Sequence, residues 1–109
     1  MPCSSLLVAI GLTVVAFAVP AAAGDVAAGR QKAQACAVCH GASGLSAVPD
    51  APHLAGQPAL YLAAQLRAYR SGKRTHEVMS VMAKPLTDAD IDNLAAWFSS
   101  IPIDVRRQP

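Results

Sequence analysis

The sequence predicts an all-α fold: three main helices joined by long loops. Three observations carry that prediction. Leu62, Leu66 and Tyr69 recur at helical spacing, and so do Ile91, Leu94, Ala95 and Phe98. Start and stop residues bracket both runs: Pro58 and Ser71-Gly72 for the first, Thr87 and Pro102 for the second. No stretch shows the strict alternation of a half-buried strand.

The chain has 109 residues, enough for one domain. Its hydrophobic fraction of 53% is unevenly spread. No charged residue precedes Asp25, residues 6–19 are almost wholly apolar, and Pro20 ends the run. Ala21, Ala22 and Ala23 follow. The run is shorter than the roughly 20 apolar residues of a membrane anchor. It reads as a signal peptide over residues 1–23, with cleavage after the small residues. Cys3 precedes the run and has no assigned role. All Lys, Arg, Asp and Glu residues lie beyond residue 24, so the formal net charge of +2 belongs to that part. Nothing in this balance points to nucleic acid as a partner.

The elements follow in order. The first helix is predicted over residues 25–35, with Asp25 as N-cap and weak periodicity through Val26, Ala27, Ala33 and Ala35. Gly29 costs helix stability there, so its position predicts a close backbone approach. Residues 41–57 form a long loop containing Gly41, Gly44, Pro49, Pro52 and Gly56. A loop of that length in a compact domain predicts a function, and wrapping a cofactor is one. The second helix is predicted over 58–69, with Pro58 at its first helical position. A second loop spans 73–86. The last helix starts at Thr87, where Thr87-Asp88-Ala89-Asp90 matches a capping box with Asp in place of Glu. The domain is predicted over residues 24–103, with a frayed tail over 104–109.

Large core side chains are scarce. Beyond the leader, the aromatic residues are Tyr61, Tyr69, Trp97 and Phe98. So small a domain has a marginal core. A flat, apolar, bound cofactor would supply what the side chains lack.

Cys36-Ala37-Val38-Cys39-His40 is C-x-x-C-H, the attachment signature of c-type haem. Two thiols add to the two vinyl groups on one porphyrin edge, so they must stand a short distance apart. The next residue then lies under the ring, and His40 offers an imidazole to the iron. A thioredoxin-like pair would expect a strand before the motif and a βαβ pattern around it. A zinc site would need a second ligand pair, and His53 and His76 fit no common spacing. A structural disulfide is the bland alternative in an oxidising compartment. From the residues alone the opposite axial position is open among Met79, Met82, His53 and His76. A His/Met pair raises the reduction potential, as suits an electron carrier.

These residues, with others along the chain, resemble the class I cytochromes c, in particular the single-haem domains of small bacterial one- and two-haem cytochromes. The likeness covers about residues 24–101. It rests on Cys36, Cys39 and His40, on Pro52-His53-Leu54-Ala55-Gly56-Gln57, and on Tyr61-Leu62 with Gln65-Leu66. It continues through Tyr69-Arg70-Ser71-Gly72-Lys73-Arg74, Met79, Leu86-Thr87-Asp88 and Leu94-Ala95-Ala96-Trp97-Phe98.

The resemblance implies a cytochrome c fold, with the three helices and loops wrapped around one covalent haem c. It implies that Cys36 and Cys39 attach the haem and that His40 and Met79 ligate its iron. It further implies that the Pro52 carbonyl orients the His40 ring, in line with outer-shell logic. Met82 is then packing, and His53 and His76 are surface residues. Gly29 and Trp97 fall where the family's first and last helices cross. The family's usual first-helix aromatic is replaced here by Ala33.

The implied function is a periplasmic electron carrier, not an enzyme. Its partners are redox proteins, its contact with membrane is at most peripheral, and it is a monomer unless part of a complex. The alternative is the cytochrome subunit of a larger periplasmic oxidoreductase, for example a flavin- or metal-dependent dehydrogenase. A haem sensor or peroxidase would instead need an open sixth position. Arg67, Arg70, Lys73 and Arg74 cluster at the end of the second helix and read as a solvated face; the other reading is a docking patch for an acidic partner.

Overall fold

A computed structural model describes residues 24–107, together with residues 1, 14 and 15. The leader expected over 1–23 falls outside the described residues apart from those three positions, as do tail residues 108 and 109.

Helix α1 covers Val26–Lys32. Asp25 caps it, its carboxylate accepting from the Ala28 amide at 3.0 Å. The helix does not stop at residue 35. It tightens into a 3₁₀ turn, Ala33–Cys36, and continues as α2, Ala37–His40. No residue between 33 and 40 breaks a helix, so the run ends only at Gly41, whose φ of 80° leaves the helical region.

Helix α3 covers Ala59–Ser71. Pro58 stands one position outside the expected place. Its ψ of 132° is extended, and its carbonyl already accepts from the Leu62 amide at 3.0 Å. Pro58 is therefore the cap and not the first helical residue. Gly72, at φ 83° and ψ 4°, closes the other end in the left-handed region that glycine enters freely. The segment read as a loop over 73–86 contains a short helix, α4, Met79–Ala83. One turn is too short to show periodicity in the sequence.

Helix α5 covers Asp88–Ser100. The capping box closes as expected. Thr87 Oγ accepts from the Asp90 amide at 3.1 Å, and the Asp90 carboxylate accepts from the Thr87 amide at 3.0 Å. The described residues contain no strand.

Helices α1 and α3 both pack on α5, and α4 packs on α3. Gly29 sits at the α1–α5 crossing. A Cβ there would lie 1.9 Å from the Asn93 carbonyl oxygen and 2.9 Å from Trp97 Cβ, so only glycine fits. Ala33, Leu62, Ala63, Ile91, Leu94, Ala95 and Phe98 form the core. Among the described residues, only Ile91 and Leu94 are large and fully buried. Burying each contributes about 1.5–3 kcal/mol, a modest total for a domain of this size.

Charged pairs fasten α3 to α5. Arg67 meets Asp92 at 2.7 Å, and Arg70 meets Asp88 at 2.6 Å while donating to the Leu86 carbonyl at 3.0 Å. Arg74 lies over the Tyr69 ring at 4.7 Å and bonds Gln65 at 2.6 Å. The basic cluster at the end of α3 is thus neither wholly solvated nor wholly free, since two of its arginines are spent on α5. No helix among the described residues is long and apolar enough to cross a membrane.

Candidate haem-binding site

The helical run from α1 through α2 places the motif. Cys36 and Cys39 are three residues apart, and His40 is four from Cys36. Both spacings bring side chains to one helical face. The 3₁₀ turn puts Ala33 in the core and leaves Cys36 half-buried at its end. Both cysteines are free thiols, so the disulfide reading is not what the structure shows. Burial pushes the Cys36 thiol above its ordinary pKa, partly offset by the nearby charge of Lys32. Val38, between the two thiols, is 80% exposed.

The 41–57 loop is knitted onto this segment. A Cβ on Gly41 would lie 1.8 Å from the Leu45 carbonyl oxygen, which explains a glycine directly after His40. The Ala47 amide donates to the Cys39 carbonyl at 3.0 Å, and the Ser46 hydroxyl donates to the same carbonyl at 3.3 Å. The Gly44 carbonyl accepts from the amides of Leu54 and Ala55 at 2.8 and 3.0 Å. The Ser46 amide donates to His53 Nδ1 at 2.7 Å, so His53, though exposed, ties two parts of the loop together. Sequence reasoning missed Ser46, because a lone serine in a loop carries no signal of its own.

This folding of the loop brings Pro52 to the motif. His40 is only 7% exposed, and its Nδ1 lies 2.9 Å from the Pro52 carbonyl oxygen. A carbonyl can only accept, so Nδ1 carries the proton and donates. The Nε2 lone pair is then left for a metal, the arrangement expected of a ligating histidine. Two free thiols, one directly before such an imidazole and one a turn before it, are the set that a covalent haem requires. Among the described residues no cluster of three or more His, Cys, Asp and Glu side chains could hold a metal ion, so a zinc site finds no support.

The other axial candidates lie elsewhere. Met79 opens α4 and is half-buried, whereas Met82 is 40% exposed. The structure brings Pro52 directly to His40. It places Met79 on a separate element that packs against α3. His53 and His76 are exposed, and each accepts hydrogen bonds from local backbone amides.

Comparison with known proteins gives a concordant picture. The family model described as cytochrome c matches residues 26–102. The cytochrome c4 of Pseudomonas aeruginosa is 45% identical over 101 residues, covering 93% of this chain and 48% of that protein. The cytochrome c-554(548) of Halomonas halodenitrificans is 44% identical over 81 residues, covering 72% of this chain and 98% of that protein. Among solved structures, a thiosulfate dehydrogenase from Marichromatium purpuratum superposes with a TM-score of 0.69 at 36% identity, covering 84% of this chain and 22% of that one. The chain thus spans about half of a cytochrome c4, nearly all of the shorter relative, and a minor part of the dehydrogenase.

Proposed function

The chain belongs to the cytochrome c family, and on that premise we propose that it is a periplasmic single-electron carrier with one His/Met-ligated haem c. The observation that carries this reading is the buried His40, its Nδ1 held by the Pro52 carbonyl, directly after the free thiol of Cys39 and one turn after that of Cys36. Haem bound in this way supplies one electron at a time, without a bond to any substrate being made or broken.

The chain's own residues do the remaining work. Cys36 and Cys39 hold the group by thioether bonds, so it is not lost between encounters. His40 would ligate through Nε2, and the Pro52 carbonyl, which accepts from Nδ1, would hold the ring in orientation. Met79 would offer a soft thioether to the iron, which would raise the potential and keep small ligands out. Residues 1–23 act as the leader that sends the chain to the periplasm.

Carbon monoxide binding to the reduced, haem-loaded protein tests the reading. Slow binding, limited by release of Met79, is the expected result. Binding as fast as to an open haem would instead favour a sensor or peroxidase. A second reading is favoured by the likeness to the thiosulfate dehydrogenase. The chain would then pass electrons as a cytochrome subunit of an oxidoreductase, and it would co-purify with a catalytic partner. A free carrier purifies alone as a monomer.

A further inference from the structure

The turn that carries Met79 is fastened by one neighbouring side chain. His76 Nδ1 accepts from the amide of Val78 at 3.2 Å and from that of Met79 at 3.3 Å. The His76 carbonyl accepts from the Ser80 amide at 2.9 Å, and the His76 amide donates to the Ser80 hydroxyl at 3.0 Å. A side-chain acceptor that takes amides two and three residues ahead acts as an N-cap does, here from two positions before Val78, the residue that borders α4 and makes no side-chain cap bond of its own. A hydroxyl that returns to the cap's own amide completes the cap in the manner of a capping box, from one residue further on. Because Nδ1 accepts, the imidazole proton sits on Nε2.

This cap has little else to share its work. Residues 71–78 are all exposed, and 73–78 form no regular structure. Helix α4 has five residues, too few to hold themselves together by helix propensity. At its far end Ala83 is fully buried and anchors the turn to the domain. At its near end the bonds to His76 hold the backbone on which Met79 stands.

We propose that His76 is a positioning residue for the Met79 thioether: by capping α4 it keeps Met79 seated on the iron and limits how often the sixth position opens. This rests on the reading of Met79 as axial ligand. Asn is among the preferred cap residues and Ala is not, so His76→Asn preserves the function and His76→Ala removes it.

The experiment compares the haem-loaded parent, His76→Ala, His76→Asn and Met79→Ala. Three quantities are read: the rate of carbon monoxide binding to the reduced form, amide exchange at Val78 and Met79, and the melting temperature. Loss of a cap shifts a local equilibrium about fivefold. His76→Ala is expected to raise both the carbon monoxide rate and the two exchange rates about fivefold, with His76→Asn restoring both. Unchanged rates in His76→Ala overturn the proposal, whatever happens to the melting temperature. If His76→Ala yields no loaded protein, the parent decides: Val78 and Met79 amides exchanging as fast as an open-chain amide overturn the cap. Met79→Ala separates the two claims. Fast carbon monoxide binding in that variant supports the ligand reading, and slow binding refutes it while the exchange data still report on the cap.

Discussion

Gly29→Ala is the sharpest structural test available, because the collision is with backbone. The new Cβ would lie 1.9 Å from the Asn93 carbonyl oxygen, 2.6 Å from its carbon and 2.9 Å from Trp97 Cβ. Ordinary contact needs about 3.4 Å, so α1 must retreat from α5 by roughly 1.5 Å, opening a tightly packed crossing. Overpacking of this kind costs about 1–3 kcal/mol, and a rigid helix carbonyl puts the case at the upper end. Alanine regains about 1 kcal/mol of helix propensity. The net loss is about 2 kcal/mol, or roughly 8–16 °C in melting temperature for a domain of this size. Thermal unfolding of the haem-loaded protein, followed by far-ultraviolet circular dichroism, measures it. Gly72→Ala is the control. A side chain there meets nothing within 4 Å, and the cost is confined to the left-handed φ of 83°, about 1–2 kcal/mol. If Gly29→Ala melts with the parent, the packing argument for the α1–α5 crossing is wrong. The Cys36–His40 segment, which continues from α1, would then be held by something else.

Three further predictions concern the site and its supports. The Asp88 carboxyl is held below its ordinary pKa by the hydrogen bond from Arg70 and then by the charges of Arg70 and Arg67; that of Asp90 is lowered mainly by the Thr87 amide. Lowered folded-state values mean that the unfolded chain binds more protons, so this stabilisation is present above about pH 4 and lost below it. The parent should therefore lose stability faster in acid than Asp88→Asn/Asp90→Asn, and parallel acid limbs in urea titrations would refute this. Pro52→Ala keeps the carbonyl that binds His40, so the potential should hold and stability should fall by less than about 1 kcal/mol; a large change in potential would show that the ring of Pro52, not its carbonyl, matters. Cys36→Ala/Cys39→Ala, which cannot attach haem, should lack a cooperative thermal transition, because the aliphatic core alone is small; a parent-like transition would show that core to be sufficient.

What the sequence revealed was local. The Asp25 cap, the Thr87–Asp90 box and Gly29 each declare themselves within a few residues, because each answers a need of the helix that holds it. C-x-x-C-H is legible for the same reason: its chemistry demands adjacent groups. Pro52 was legible only through the family likeness, since a backbone carbonyl has no side-chain signature and reaches His40 across 12 positions of loop. Arg67 and Arg70 pair with acids 25 and 18 residues away, and no spacing encodes that. Helix α4 stayed hidden for a different reason. It is one turn long, and its cap is a histidine, a residue type that caps poorly in general and was read as solvated surface. The place where sequence reasoning was least informative is therefore the turn that carries Met79, the residue on which the proposed difference between binding haem and carrying electrons depends.

That difference is tested most directly by the ferric absorption spectrum of Met79→Ala beside the parent. The account predicts that the parent shows the weak near-infrared-edge band of a thioether–iron bond, and that Met79→Ala loses it and falls in reduction potential. Retention of the band in Met79→Ala would contradict the account and transfer the axial role to another residue, with Met82 first in line.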